Sequence, residues 1–143
     1  MMRTVVNIVL FITLAGLLSC GRGTPKQTDI IGKWWSYKTT GKEYSEYDID
    51  KNTMGIFMYP AGNGGRSDYE LVNDTLIFRG LKFKVEMLSG DQFTLTFYDK
   101  IDTLTRLPDS VVTFHSVPHM NDSAYKIFYD SFQQRAFDAE KKR

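Results

Sequence analysis

The stretch that most constrains the fold is residues 82–99. In residues 82–88, Phe83, Val85 and Met87 alternate with Lys82, Lys84 and Glu86; in residues 92–99, Phe93, Leu95 and Phe97 alternate with Gln92, Thr94 and Thr96. A helix would scatter these apolar side chains around its circumference, whereas a strand gathers each set on one face. Ser89-Gly90-Asp91 supplies a tight turn between them, so the stretch predicts an antiparallel hairpin. Two strands cannot cover an apolar face alone. The rest of the chain has to supply the cover.

It does so with more strands. Residues 68–72 and 75–79 flank Asn73-Asp74, a pair that tolerates positive φ, and Gly80 punctuates the step into Lys82. Residues 43–50 and 54–59 flank Lys51-Asn52-Thr53. Met54, Ile56 and Met58 share one face of the second of these, with Phe57 and Tyr59 on the other, which predicts a strand covered on both sides. The first strand starts within Ile30-Ile31-Gly32-Lys33-Trp34-Trp35, and residues 110–117, with Val112 and Phe114 on one face, are expected to be the last. Short connections make sequential neighbours pair. The expected fold is therefore all-β, a small antiparallel up-and-down barrel of about seven or eight strands whose closure removes open edges. The longer connection Pro60-Ala61-Gly62-Asn63-Gly64-Gly65-Arg66 is rich in glycine but precedes no helix and lacks a Lys-Ser/Thr ending. It is expected to be a rim loop rather than a phosphate cradle.

After Pro118 the period changes. Tyr125, Phe128, Tyr129, Phe132, Ala136 and Ala139 recur at spacings of three and four, predicting an amphipathic helix over residues 121–143 packed on the barrel. Asn121-Asp122-Ser123 offers N-caps and Lys141-Lys142-Arg143 suits the negative end of the dipole. Ile127 and Phe137 fall off the stripe.

The N-terminal residues read differently. Arg3 precedes an apolar run from Val5 to Leu18, interrupted by Asn7, Thr13 and Gly16, which has the form of a secretory signal over residues 1–19. The run is too short to span a bilayer comfortably. Leu17-Leu18-Ser19-Cys20 resembles the lipobox of bacterial lipoproteins. That resemblance implies cleavage between Ser19 and Cys20, diacylation of the Cys20 sulfur and acylation of the new amino terminus. Several acyl chains on one residue make a stable anchor, each buried methylene adding about 0.8 kcal/mol. Cys20 is the one cysteine of the chain, so its lipidation leaves none for a disulfide, thiol catalysis or a thiolate metal site. Residues 20–29, GRGTPKQTD after the cysteine, read as a flexible tether reaching roughly 15–18 Å. By resemblance to lipoprotein sorting rules, Gly21 and the lack of acidic residues after Cys20 imply the outer membrane facing the periplasm, with surface display the alternative. Taking 19 residues from 143 leaves 124, and losing Arg3 leaves 17 Lys and Arg against 17 Asp and Glu. A neutral domain gives no electrostatic case for nucleic acid or for an anionic membrane surface as partner.

Gly32-Lys33-Trp34 at the start of the first strand, followed by a meander over residues 30–120 and a terminal helix, is similar to the lipocalin superfamily, whose hallmark is Gly-x-Trp. The resemblance implies that Gly32 bends the chain at the closed end of a barrel and that Trp34 plugs it. It also implies an arginine covering the tryptophan, for which Arg106 is one candidate. Ser67-Asp68-Tyr69 echoes the family's Thr-Asp-Tyr motif but stands too early in the chain. Of Trp34 and Trp35, one is expected to plug the core and the other to pack outside or under the helix.

No catalytic constellation emerges, so no enzyme is expected. His115 and His119 have helical zinc spacing, but Pro118 separates them. Asp48 and Asp50 alternate with Tyr47 and Ile49 and read as a solvated face rather than a glycosidase pair. Met54, Met58 and Met87 read as packing rather than soft-metal ligands. No metal or cofactor is expected. Asp74-Thr75-Leu76, Asp102-Thr103-Leu104, Asp109-Ser110-Val111 and Asp122-Ser123-Ala124 resemble O-glycan acceptor triplets of one bacterial phylum, yet Asp-Ser/Thr is also ordinary turn and cap chemistry. The leading functional expectation is non-catalytic binding of a small, largely apolar ligand inside the barrel by Phe83, Val85, Phe93, Leu95 and Phe97. The alternative is a filled barrel serving as a structural or interaction module, an accessory subunit meeting an envelope protein partner.

Overall fold

The computed structural model describes residues 23–142. Eight strands follow one another: β1 (Gly32–Lys38), β2 (Glu43–Ile49), β3 (Thr53–Tyr59), β4 (Gly62–Val72), β5 (Thr75–Phe78), β6 (Leu81–Ser89), β7 (Gln92–Phe97) and β8 (Lys100–Arg106). Each pairs antiparallel with the next, and β8 returns to β1, closing a barrel in sequence order. A helical turn, α1 (Gln27–Ile30), precedes the barrel, and the helix α2 (Asp122–Lys141) follows it. The hairpin expected from alternation is β6–β7, with Val85 opposite Leu95 and Met87 opposite Phe93.

The period-two pattern sorts side chains into two cores. Trp34, Tyr47, Ile49, Met54, Tyr69, Leu76, Phe78, Val85, Phe93, Leu95 and Leu104 fill the barrel, with Ile30 below them. On the outer wall of β1–β3, Tyr37, Tyr44 and Phe57 pack under Phe128, Phe132, Ala136 and Ala139 of α2, with Trp35, Phe114 and Tyr129 at the margin. Trp34 thus lies inside and Trp35 outside, where it stacks on Tyr44. β3 is covered on both faces, as its two apolar sets require: Met54 points into the barrel and Phe57 meets Phe114, Phe128 and Phe132. The N-cap of α2 is Asn121, whose side-chain oxygen accepts from the Ala124 amide at 2.9 Å. Tyr125 remains exposed, and Ile127 and Phe137 off the stripe are exposed as well.

Three expectations are corrected. Residues 110–117 are not the last strand. The eighth place is taken by β8, and residues 110–117 instead cross the outer wall through a 3-10 turn (Phe114–Ser116) that lays Phe114 on Phe57 at 4.8 Å. Most of the glycine-rich connection is not a loop, because Gly62 to Arg66 extend β4 and pair with β3 across a bulge between Ile56 and Phe57. Gly65, at φ 79°, supplies the backbone conformation that side chains resist. The chain is also seated earlier than the tether reading expects: Pro25 is buried, and Gln27 donates to the Lys51 carbonyl. Barrel, plug and helix all come from Pro25 onward, so a chain beginning at Gly21 contains every packed element described.

Asp48 and Asp50 hold Arg66 at 2.9 and 2.6 Å, and Asp48 also accepts from the Thr113 hydroxyl, so this face is a clamp rather than bare solvated carboxylates. His115 lies over Gly55, where a Cβ would overlap its ring, and its Nε2 meets the Ile56 carbonyl at 3.2 Å. Burial pulls its pKa below the ordinary histidine value.

The helix is fastened by one buried ion pair. Glu46, on the outer face of β2, is fully buried beneath α2 and receives Arg135 Nε at 2.6 Å, Arg135 Nη2 at 3.1 Å and the Tyr44 hydroxyl at 2.9 Å. Removing one partner strands a desolvated charge. Arg135→Met is expected to lower unfolding stability by about 3–5 kcal/mol. Adding Glu46→Leu should restore most of it, since the site then becomes apolar on both sides. Urea unfolding of the single and double variants measures both, and equal stability of Arg135→Met and the parent would refute the account.

Candidate binding site at the open end of the barrel

The two ends of the barrel differ in chemistry. At one, the α1 turn carries Ile30 beneath Trp34, whose indole Nε1 donates to the Ile30 carbonyl at 2.8 Å. Arg106 lies over the Trp34 ring at 4.0 Å and donates to the carbonyls of Ile31 and Asp29 at 3.1 and 3.2 Å. Gly32 has φ 139°, and a Cβ there would overlap Arg106 Nη1. The Gly32-Lys33-Trp34 pattern therefore has a local physical reason: only glycine leaves room for the arginine that seals the tryptophan. Arg106, one candidate from sequence, is the covering arginine.

The opposite end is open and amphipathic. On its β6–β7 side the inward register carries Phe83 and Phe97, with ring centroids 5.2 Å apart, and Leu81 at the rim. On its β8–β1–β2 side the inward register carries Lys100, Asp102, Ser36, Lys38, Glu43, Ser45 and Tyr47. Asp102 gathers three donors on Oδ2: Tyr47 Oη at 3.1 Å, Ser36 Oγ at 3.2 Å and Lys38 Nζ at 3.5 Å. Lys38 also reaches Glu43 at 3.3 Å. Burial opposes the charge on Lys38, but the carboxylates of Asp102 and Glu43 outweigh it and raise its pKa. Burial, then the Asp102 carboxylate, pushes the Tyr47 phenol well above its ordinary value.

Beside this cluster is a cleft of about 580 Å³, bordered by Lys38, Glu43, Lys100, Ile101 and Asp102. It lies where the barrel seam relaxes. β8 pairs with β1 only at Trp34–Arg106 and Trp35–Thr105, near the plug, and beyond Trp35 the side chains of Ser36, Lys38 and Asp102 carry the connection instead. Its lining is mainly polar, with Tyr37 and Ile101 the apolar contributions, and Phe83 and Phe97 stand across the mouth outside it.

The five residues expected to face a ligand divide between floor and mouth. Val85, Phe93 and Leu95 are only 1, 0 and 6% exposed and form the packed floor, whereas Phe83 and Phe97 keep accessible surface at the mouth. Asp102, Lys38 and Tyr47 were not singled out as site residues. Asp102 sits in β8 facing inward, not at a turn, so its triplet with Thr103 and Leu104 is strand rather than turn chemistry. The signal that could have found it is the alternation of Lys100, Asp102, Leu104 and Arg106 against Ile101, Thr103 and Thr105. Leu17, Ser19 and Cys20 lie outside the described residues. Among the described residues no group of His, Cys, Asp or Glu is placed to hold a metal ion, and no helix is long and apolar enough to cross a membrane. The chain matches no family model, no curated protein and no solved structure.

The Asp102 cluster makes a pH prediction. A phenol whose pKa is higher in the folded state adds stability that is complete below the unfolded value of about 10 and is lost as pH rises through the folded value. Asp102→Asn removes one of the raising influences, so one tyrosine should ionise at lower pH in a spectrophotometric alkaline titration. An unchanged titration curve would show that Asp102 does not act on Tyr47.

Proposed function

We propose that the protein is a non-catalytic, lipid-anchored binding protein of the cell envelope that takes a small amphiphile at the open end of its barrel. The apolar part rests on Phe83 and Phe97, and the polar head reaches the Asp102–Lys38–Lys100 side. The observation that carries this reading is the coexistence, in one mouth above a dry packed floor, of an aromatic wall and a hydrogen-bonded polar wall. The packed floor limits the depth of binding and points to a ligand held at the mouth rather than swallowed. Its filled lower half also supports the second reading, an interaction module of an envelope assembly in which the barrel is a scaffold.

Native mass spectrometry separates the two. Residues 21–143, purified without detergent and incubated with an envelope lipid extract, are expected to carry added mass that disappears on denaturation. Phe97→Ser should reduce that adduct about tenfold or more, as expected for losing an aromatic wall worth roughly 1.5–3 kcal/mol. A clean apo mass after incubation would overturn the binding reading in favour of the interaction module.

The anchor rests on Leu17-Leu18-Ser19-Cys20 and the apolar run before it. Cells fed a labelled fatty acid are expected to label the full chain but not its Cys20→Ser variant. Label retained in that variant would place the acyl chains elsewhere, and an unlabelled parent chain would remove the anchor from the reading.

A further inference from the structure

We infer that the uncovered rim made by the β5–β6 and β7–β8 turns is a docking surface for an anionic lipid bilayer. It shares Leu81, Phe97, Lys100 and Ile101 with the mouth described above but would hold for a mouth that carries nothing.

Three large apolar side chains stand in solvent there: Leu81 is 47%, Tyr98 88% and Ile101 68% exposed. Leu81 and Tyr98 are neighbours. Gly80, Leu81, Lys82, Phe97 and Tyr98 border one shallow cleft of about 340 Å³, and Tyr98 meets Phe97 edge-on at 4.5 Å. Ile101 follows Lys100, which closes the turn opposite Phe97. α2 covers the other side of the barrel, over β1–β3, and leaves this side bare.

The turns themselves carry Arg79, Lys82 and Lys100 against Asp99, and Glu43 and Asp102 border the same cleft as Lys100. Elsewhere half of the described cations are answered by carboxylates: Lys38 by Glu43 and Asp102, Lys42 by Glu140, Arg66 by Asp48 and Asp50, Arg106 by Asp91, Lys126 by Asp130 and Arg135 by Glu46, while Arg79 donates to Ser67 Oγ and lies over the Phe78 ring. Among the described residues Arg79, Lys82 and Lys100 form no ion pair. These turns are thus locally positive where they are also apolar. That combination matches the interface of an anionic bilayer, where aromatic rings sit at headgroup depth and long cationic stems reach phosphates while their methylenes stay near the acyl chains.

The described chain begins at the other end, with Gly23 to Pro25 beside Asn73 and Asp74. The rim therefore points away from the N-terminal tether, and a bilayer met by it is a surface other than the one Cys20 would hold.

Sedimentation with vesicles tests this, using residues 21–143, which lack the tether but keep every packed element. The protein is expected to pellet with phosphatidylglycerol–phosphatidylcholine vesicles at low salt, to release at high salt, and to stay in solution with phosphatidylcholine alone. Each cation near an anionic surface is worth about fivefold in partitioning, so Lys82→Glu with Lys100→Glu should lower it at least 25-fold. Tyr98→Ser with Ile101→Ser should weaken it at every salt concentration. All four positions are exposed, and circular dichroism checks that the variants fold as the parent does. Absence of pelleting by the parent, equal pelleting of the charge variant, or equal pelleting with phosphatidylcholine alone would each overturn the inference. Capture of a protein through these residues without vesicle binding would overturn it too, by assigning the rim to a protein partner.

Discussion

The packing of Arg106 on Trp34 is the interaction on which the rest of the structure depends. Trp34 lies near the start of the first strand and Arg106 ends the last, so their contact is also the closure of the barrel: the two register pairs that join β1 to β8 are Trp34–Arg106 and Trp35–Thr105. The guanidinium over the ring is worth about 0.5–2 kcal/mol when desolvated. Its greater consequence is geometric. The same guanidinium satisfies the Ile31 and Asp29 carbonyls at the chain's entry, groups that would otherwise be stranded above an apolar plug. One side chain thereby joins the first strand, the last strand and the α1 turn.

Fixing closure at one end leaves the other end with a choice. Past Trp35 the two strands are no longer held by a backbone ladder, and the groups that bridge them are side chains. A ladder there would have sealed the wall as dry β-sheet. Asp102, Ser36, Tyr47 and Lys38 instead make a connection that is strong in low dielectric yet composed of groups able to bond a ligand's head.

This division also explains what could be read from the residues and what could not. β6 and β7 were legible because their inward faces, Phe83-Val85-Met87 and Phe93-Leu95-Phe97, are wholly apolar and their outward faces polar. β8 was not, because it runs from mouth to plug. Its inward face reads Lys100, Asp102, Leu104, Arg106, with charge at the mouth and at the seal, and only Leu104 reporting the core. Residues 110–117 imitated a strand because Val112 and Phe114 alternate, but Phe114 serves the outer core under α2, where one aromatic ring needs no strand to hold it. The glycines of β4 imitated a loop because low apolarity and backbone freedom are common to loops and to strands that cross a bulge. The mouth cluster was hidden for a related reason: Asp102 and Lys38 are 64 residues apart in a chain whose alternation says which face they occupy, but not which strands meet at the seam.

The outer wall completes the argument about where function can reside. Glu46 and Arg135 commit α2 to β1–β3, since a charge buried beneath the helix tolerates no partial undocking. The helix therefore cannot swing over the mouth as a lid without stranding Glu46, and the β5–β8 side has no element to cover it. The exposed Leu81, Tyr98 and Ile101 are the direct result: apolar side chains at the tips of turns, on the side the helix is prevented from reaching. A small domain gains little by leaving three such residues in water. The same ion pair that fixes α2 on β1–β3 thus leaves the β5–β8 side of the barrel without a covering element.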